Sequence, residues 1–403
     1  MNTHKFHKIS SFAFILLFVL CINLQHASAQ WQLSGTFGAA IHSFAVSGTN
    51  IFAGLQPKGV YISTDTGISW NAVNTGLTDS LIIDLAAKGT FIYAGTPSGV
   101  FLSTNQGLNW SSVSNGLPYN NFVSLGVSDS NIFVGTSVTF GGDTGKIFLS
   151  NNNGANWSEA LGTNIYGTFM CFASNGSNVF AGSMNGIFYS NNNGLDWKRS
   201  GYKCKVKSLI IIDTILLVGS GAGIYISYDK GDNLKLVQSN VYAREFVVSG
   251  TKIFVGSHRG VWFSTDLGVT WNEANDGLPL NTGITSVAIN GTMLFAASNN
   301  GQIWKRPLSE FTSSSSVEIE KSISIALSPN PLTSHTYLNI DLKQKIQNAE
   351  LEIFDLYGRM VIKVENINSN RILVERNGLP SGMYMFRFRN ENGAIAHGKL
   401  IIQ

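Results

Sequence analysis

The chain has 403 residues, of which 42 are glycine and 8 proline, and a formal net charge of +3. Residues 30–308 hold 15 Lys/Arg against 14 Asp/Glu, and residues 309–403 hold ten of each. So even a balance excludes a basic nucleic-acid surface, and abundant glycine without long helical periodicity points to an all-β class.

Residues 1–29 read as a signal peptide. Lys5 and Lys8 make its positive region, Phe12 to Leu24 its apolar core, and Ala27-Ser28-Ala29 a small-residue cleavage site. Leu20 is too large for a lipobox before Cys21, which argues against a lipoprotein. No later stretch is long and apolar enough to span a membrane, and Leu209 to Val218 reads as a buried strand. After cleavage Cys171 and Cys204 remain. Export permits a disulfide. Their offsets from the repeat glycines differ (182−171 = 11, 219−204 = 15), so the favoured reading is two small buried hydrophobes.

From Ser63 the sequence repeats. Ser63 to Trp70 (STDTGISW) returns as Ser103 to Trp110, Ser150 to Trp157, Ser190 to Trp197 and Ser264 to Trp271, with a decayed copy from Ser227 to Leu234. The start-to-start spacings are 40, 47, 40, 37 and 37 residues. A period near 40 means an array of small supersecondary units. Each copy follows a short β-branched and aromatic run such as Gly59-Val60-Tyr61-Ile62, which reads as a strand. The Asp or Asn of each copy forms a turn on its own backbone, and the Gly supplies positive φ. Asp65, Gly67 and Trp70, Gly107 and Trp110, Gly154 and Trp157, Gly194 and Trp197, and Asp266, Gly268 and Trp271 are therefore the predicted structural residues.

The pattern S-x-D/N-x-G-x-x-W resembles the Asp-box, or bacterial neuraminidase repeat, of sialidases, sortilin-type receptors, xyloglucanases and single-propeller photosystem II assembly factors. The resemblance implies a β-propeller in which the box is a structural turn away from the ligand site. A middle strand recurs at Ile51 to Gly54, Ile92 to Gly95, Ile132 to Gly135, Val179 to Gly182, Leu216 to Gly219, Ile253 to Gly256 and Leu294 to Ala297. That predicts a seven-bladed propeller over 30–308. The seventh unit has no box, and Trp31 to Ser34 is the predicted strand that completes it and closes the ring. Six of the eight Trp would then share one position.

A Ser-rich linker over 309–322 precedes alternating apolar runs over 323–403 that read as a small β-sandwich. The order Ser328-Pro329-Asn330-Pro331, then Tyr357-Gly358-Arg359, then Leu379-Pro380-Ser381-Gly382-Met383-Tyr384, then Lys399-Leu400-Ile401 resembles the type A sorting domain of the type IX secretion system. The resemblance implies export across the outer membrane of a Bacteroidetes-type bacterium, with the secretion machinery as partner. The expected location is secreted or at the outer surface, reached through the periplasm. In that family the domain is often removed, and the cargo is released or fixed to the surface.

Catalytic signals are thin. A sialidase needs three Arg and a Tyr–Glu pair. Residues 30–308 offer only Arg199, Arg244, Arg259 and Arg306, with Glu159, Glu245 and Glu273. Asp84, Asp129, Asp143 and Asp213 read as solvated turn residues. The box carboxylates are too few per turn for calcium, and the His residues show no metal spacing, so no metal or cofactor is expected. Two readings remain: a non-catalytic secreted propeller that binds a glycan, surface polymer or protein, and a secreted glycoside hydrolase with unidentified carboxylates. Loop aromatics outnumber loop carboxylates, which favours binding. Tyr119 and Tyr166 share an offset (135−119 = 182−166 = 16), and Tyr202 and Tyr242 fall near it. With Arg244, His258 and Arg259 from loops on the same face, they make the predicted binding arc. The insertion Ser137 to Gly145 is expected on that face.

Overall fold

The computed structural model describes residues 30–118, 122–137, 145–162, 167–311, 324–328, 330–341, 348–355, 359–369, 371–390 and 393–403. Seven sheets lie between Gln32 and Pro307 among these residues. The first runs Ala40–Ser47, Asn50–Gln56, Gly59–Ser63, Asn71–Ala72, each strand antiparallel to the last. The innermost strands of the seven are Ala40–Ser47, Asp84–Lys88, Phe122–Val127, Phe169–Asn175, Ser208–Ile212, Ala243–Ser249 and Ile284–Asn290. Each touches the next, and the last returns to the first, which is the ring of a β-propeller.

The chain closes its own ring. Gln32–Thr36 is the fourth strand of the seventh sheet, with Gln32 opposite Lys305 and Leu33 opposite Trp304. Trp31 then reaches the sixth sheet. Its backbone N–H donates to Asp276 O at 2.9 Å and its indole N–H to Ala274 O at 2.5 Å.

Apolar cores fill the wedges between neighbouring sheets. One holds Phe52 and Ile62 of the first sheet against Ile92, Phe101 and Trp110 of the second. The middle-strand glycines allow this approach. A Cβ on Gly54 would stand 2.4 Å from Ile82, in the loop entering the second sheet, and one on Gly256 2.7 Å from Ile284 of the seventh.

The boxes are turns in which two successive residues have positive φ, as at Thr66 and Gly67. Ser63 Oγ accepts the Gly67 N–H at 2.8 Å and donates to Asp65, and Asp65 in turn accepts the Ser69 N–H at 2.9 Å. The other boxes repeat these bonds, for example through Ser103, Asn105 and Gly107. These bonds, above all those from Ser69, hold the Asp65 carboxyl well below the usual carboxylate range. The Trp residues share a place at the opening of the fourth strand but not a hydrogen-bond partner, and Trp70 donates to Ser34 Oγ at 3.2 Å. Trp110 and Trp157 behave like Trp31, donating to Val73 O and Val113 O of the preceding sheet. Each of these three sits over a glycine corner, Gly76, Gly116 or Gly277. Trp197 and Trp271 donate instead to the glycine of their own box. Beside Trp197, Leu161–Gly162 lies parallel along Asp196–Arg199.

Around the channel runs a belt of hydrogen bonds between sheets. In each innermost strand one residue faces the middle-strand glycine, or Ala297 in the seventh sheet: Ser43, Asp84, Ser124, Cys171, Ser208, Glu245 and Ser286. Six of them bond to a neighbouring sheet. Ser43 accepts the Leu85 N–H and donates to Asp84; Asp84 accepts the Leu125 N–H at 2.8 Å. Ser124 donates to Phe169 O and Ser208 to Ala243 O. Glu245 accepts the Val287 N–H at 3.1 Å, and Ser286 the Phe44 N–H at 3.0 Å, across the closure. Burial pushes the Asp84 carboxyl up to about 6. Burial, reinforced by the Asp84 charge, pushes Glu245 up to about 8. Burial takes the Cys171 thiol to about 12.

Three expectations need correction. Asp84 is a belt residue on a strand, not a solvated turn residue. Leu209 to Val218 is not one strand but a hairpin, Ser208–Ile212 and Ile215–Gly219, turned at Asp213, whose φ is 52°. The cysteines are free and not both buried: Cys171 is half-buried on the channel wall and Cys204 is exposed in the loop before the fifth sheet. Asp143 lies outside the described residues.

The C-terminal region forms two further sheets. One is Ser324–Ser328, His335–Asp341 and Arg371–Glu375; the other is Met360–Ile367, Ala349–Phe354, Gly382–Asn390 and Gly393–Ile402. They enclose a core of their own that includes Leu338, Leu351, Phe388 and Leu400.

Trp110→Ala should cost on the order of 3–5 kcal/mol in denaturant unfolding, because the indole is buried and hydrogen-bonded. Gly107→Val should be comparably harmful, since φ is +84° and a Cβ would sit 3.0 Å from Val73. Removal of 30–36 should lower the midpoint sharply by opening the ring; an unchanged midpoint would contradict closure. Asp84 and Glu245 keep protons to higher pH folded than unfolded, so the folded chain binds more protons. Stability should therefore be greatest below the ordinary carboxyl values of 3.8 and 4.5 and fall as pH rises towards about 6 and about 8. Melting temperatures across that range should show the fall, and Glu245→Gln should flatten its upper part; an equal fall in the variant would contradict the assignment.

Candidate functional site

The belt residues each follow a β-bulge or a strand start at the mouth of the channel. In the first, sixth and seventh sheets the bulged residues are His42, Arg244 and Thr285. Lys207, whose N–H donates to Gly219 O, has the same place in the fifth. Their offset to the middle strand is constant: 54−42 = 219−207 = 256−244 = 297−285 = 12. A bulge re-aims a side chain out of the ladder, so one level of the channel carries these groups together.

The electrostatics tie them into one cluster. Burial and then the Arg244 charge hold the His42 imidazole below its ordinary value. Lys207 is lowered by burial, then by Lys205 and Arg244. His258 is lowered by burial, then by Arg259 and Arg244. One guanidinium thus acts on three other basic groups. His42 is open to water yet has protein on most sides, which is the condition of a channel wall. Among the described residues, Arg244, Lys207, His42 and Arg259 have no carboxylate partner.

Five of the seven predicted binding residues can be placed. Tyr202 lies half-buried in the loop entering the fifth sheet, 6.0 Å from Tyr225 ring to ring. Burial raises its phenol to about 12. Tyr242 lies in the loop entering the sixth sheet, edge-on to His258 at 6.3 Å, and its N–H donates to His258 Nδ1 at 3.3 Å. His258 and Arg259 are exposed in the turn before Gly260. Arg244 comes from a strand, not a loop. Tyr119 and Tyr166, and 138–144 of the expected insertion, lie outside the described residues. The sequence reading missed His42 and Lys207; the constant offset of 12 is the signal that could have found them.

The carboxylates of the channel are engaged elsewhere. Both Asp84 oxygens accept hydrogen bonds, from Ser43 and Leu85 on one and from Leu125 on the other, and Glu245 accepts from Val287. Among the described residues no group of three or more His, Cys, Asp or Glu could hold a metal ion, and no helix is long and apolar enough to cross a membrane.

Among curated proteins nothing matches the chain. Residues 326–403 match the family described as secretion system C-terminal sorting domain. Two solved structures share the fold. One is YCF48 bound to D1 peptide, at 15% identity and a TM-score of 0.54, covering 70% of this chain and 96% of that one. The other is the extracellular domain of the putative one component system BT4673 from B. thetaiotaomicron, at 12% identity and a TM-score of 0.56. It covers 93% of this chain, and this chain spans 59% of that one. By these likenesses and its own sheets, the chain is a β-propeller followed by a secretion system sorting domain.

Proposed function

We propose that this is an exported, non-catalytic β-propeller that binds a glycan, surface polymer or protein on the channel face carrying Arg244, His258 and Arg259. The sorting domain implies handling by the type IX machinery and a secreted or outer-surface location. The observation that carries the binding reading is the cluster of cations around Arg244 without carboxylate partners. Like charges held close repel, and an anionic or polar ligand relieves that repulsion. Tyr202 and Tyr242 add aromatic surface beside the charge. YCF48, which shares the fold, is itself recorded bound to a peptide.

One observation favours the alternative of a glycoside hydrolase. Glu245 and Asp84 hold their protons unusually well, as a general acid does. Their hydrogen bonds to neighbouring sheets account for them without catalysis.

The test is an array of polysaccharides and peptides probed with the purified chain. Arg244→Ala with Arg259→Ala should lose binding at unchanged melting temperature, while Glu245→Gln should keep it. Release of reducing ends by the wild type, abolished in a folded Glu245→Gln variant, would establish the hydrolase instead. Deleting 326–403 in a type IX-competent host should leave the protein in the periplasm; wild-type amounts in the medium would overturn the export reading.

A further inference from the structure

Resting on that binding reading, we propose that the basic members of the bulge ring, His42, Lys207 and Arg244, take the single carboxylate of an acidic sugar, and that His42 gains a proton from solvent as the carboxylate enters. The ring is built, not incidental. Its members come from four different innermost strands at one register level, and three of them are basic. The corresponding places in the second and fourth sheets hold Ile83 and Met170, so the positive charge sits on one side of the mouth. Thr285 is anchored there, its Oγ1 donating to Ile41 O at 2.6 Å.

A carboxylate suits this geometry because it accepts from a guanidinium and an ammonium at once. A sugar suits the surroundings. Tyr202 and Tyr242 enter from the loops just before Lys207 and Arg244, and half-open aromatic rings beside a charge match the C–H face of a pyranose. The innermost-strand N–H groups that would pair with a peptide backbone are spent on the belt, among them Phe44, Leu85, Leu125 and Val287.

The proton follows from the charges around His42. Strand Asn50–Gln56 brings none to it. Strand Ile284–Asn290 offers Thr285 and Ser286, and strand Asp84–Lys88 offers Asp84. The fifth and sixth sheets bring Lys207, Arg244 and Glu245 to the same level. Burial and Arg244 disfavour the imidazolium in the free chain. An entering carboxylate offsets Arg244 and restores the proton. The sign is then fixed: a group whose affinity for protons rises on binding makes the ligand bind more tightly as pH falls.

The experiment is calorimetric titration of the purified chain with trigalacturonate, its methyl ester, free acetate and a Glu-rich peptide, at pH 5.5, 6.5 and 7.5. Trigalacturonate should bind and the ester should not. Acetate should bind weakly if at all, since it lacks the ring that stacks on Tyr202 and Tyr242. Affinity should rise about three- to tenfold from pH 7.5 to 5.5, with proton uptake seen as a heat that depends on the buffer. Arg244→Ala and Lys207→Ala should each weaken binding about tenfold or more. His42→Gln should still bind but lose the pH dependence, and Asp84→Asn should keep it. The reverse result for these two variants, or pH-independent binding, overturns the proton assignment. Binding of the peptide but not of trigalacturonate overturns the sugar and leaves the binding face standing. No ligand on the array and none here overturns both.

Discussion

The structure depends on the seam between neighbouring innermost strands. A closed ring has no spare edge, so every seam must satisfy its polar groups while two sheets press together. Small residues on the middle strand let the sheets approach, and the belt side chains then bond across. The closure is made the same way as any other seam: Ser286 accepts from Phe44, and Thr285 donates to Ile41. Trp31 adds apolar surface one seam earlier, between the sixth and seventh sheets, and the strand after it completes the seventh. A typical hydrogen bond contributes only about 0.5–1.5 kcal/mol, but a buried N–H left without a partner costs about 1–3 kcal/mol. The belt therefore acts mainly by satisfying polar groups at six of the seven seams.

Serine is the usual belt residue, and the two acids are departures from it. A serine hydroxyl bonds at little desolvation cost, whereas a carboxylate in the same place loses water and holds its proton. Raised proton affinity in a channel is often the mark of a catalytic acid. Both acids also have a structural role. Asp84 has both oxygens tied to backbone N–H groups or a hydroxyl, and Glu245 is tied to the next sheet, so neither is poised over open space.

The box turns and the propeller were legible because their chemistry is local. A side chain that bonds its own backbone, then a glycine at positive φ, leaves the same trace in every copy. The seams were not legible, because they join residues about 41 or 42 positions apart, as in Ser43 to Asp84 and Glu245 to Val287. Asp84 reads as a solvated carboxylate by type, and only its bonds to Ser43 and Leu125 reveal its place on the belt. The hairpin at Asp213 hid because isoleucines flank a two-residue turn with no glycine. The six Trp do open a fourth strand in each case, while the partner of the indole N–H, which depends on the neighbouring sheet, could not be read. The candidate site was half legible: tyrosines and Arg244 stood out by type, while His42 and Lys207 gained meaning only when bulges brought separate strands to one level.

That level poses a question of economy. Ile83, Met170 and Thr285 show that the fold accepts apolar or neutral side chains at the bulge, so nothing in the ring requires a cation there. Basic groups gathered at one level repel when charged, and after burial the Arg244 charge is among the causes that lower the proton affinities of His42 and Lys207. The belt carboxylates do not neutralise them, since burial favours the protonated form of Glu245 and Asp84 is spent on its hydrogen bonds. A feature that the fold does not need and that costs stability is best understood as serving something outside the fold. The channel mouth is where a ligand would repay the cost, because an anion there meets several fixed charges without any rearrangement of the ring.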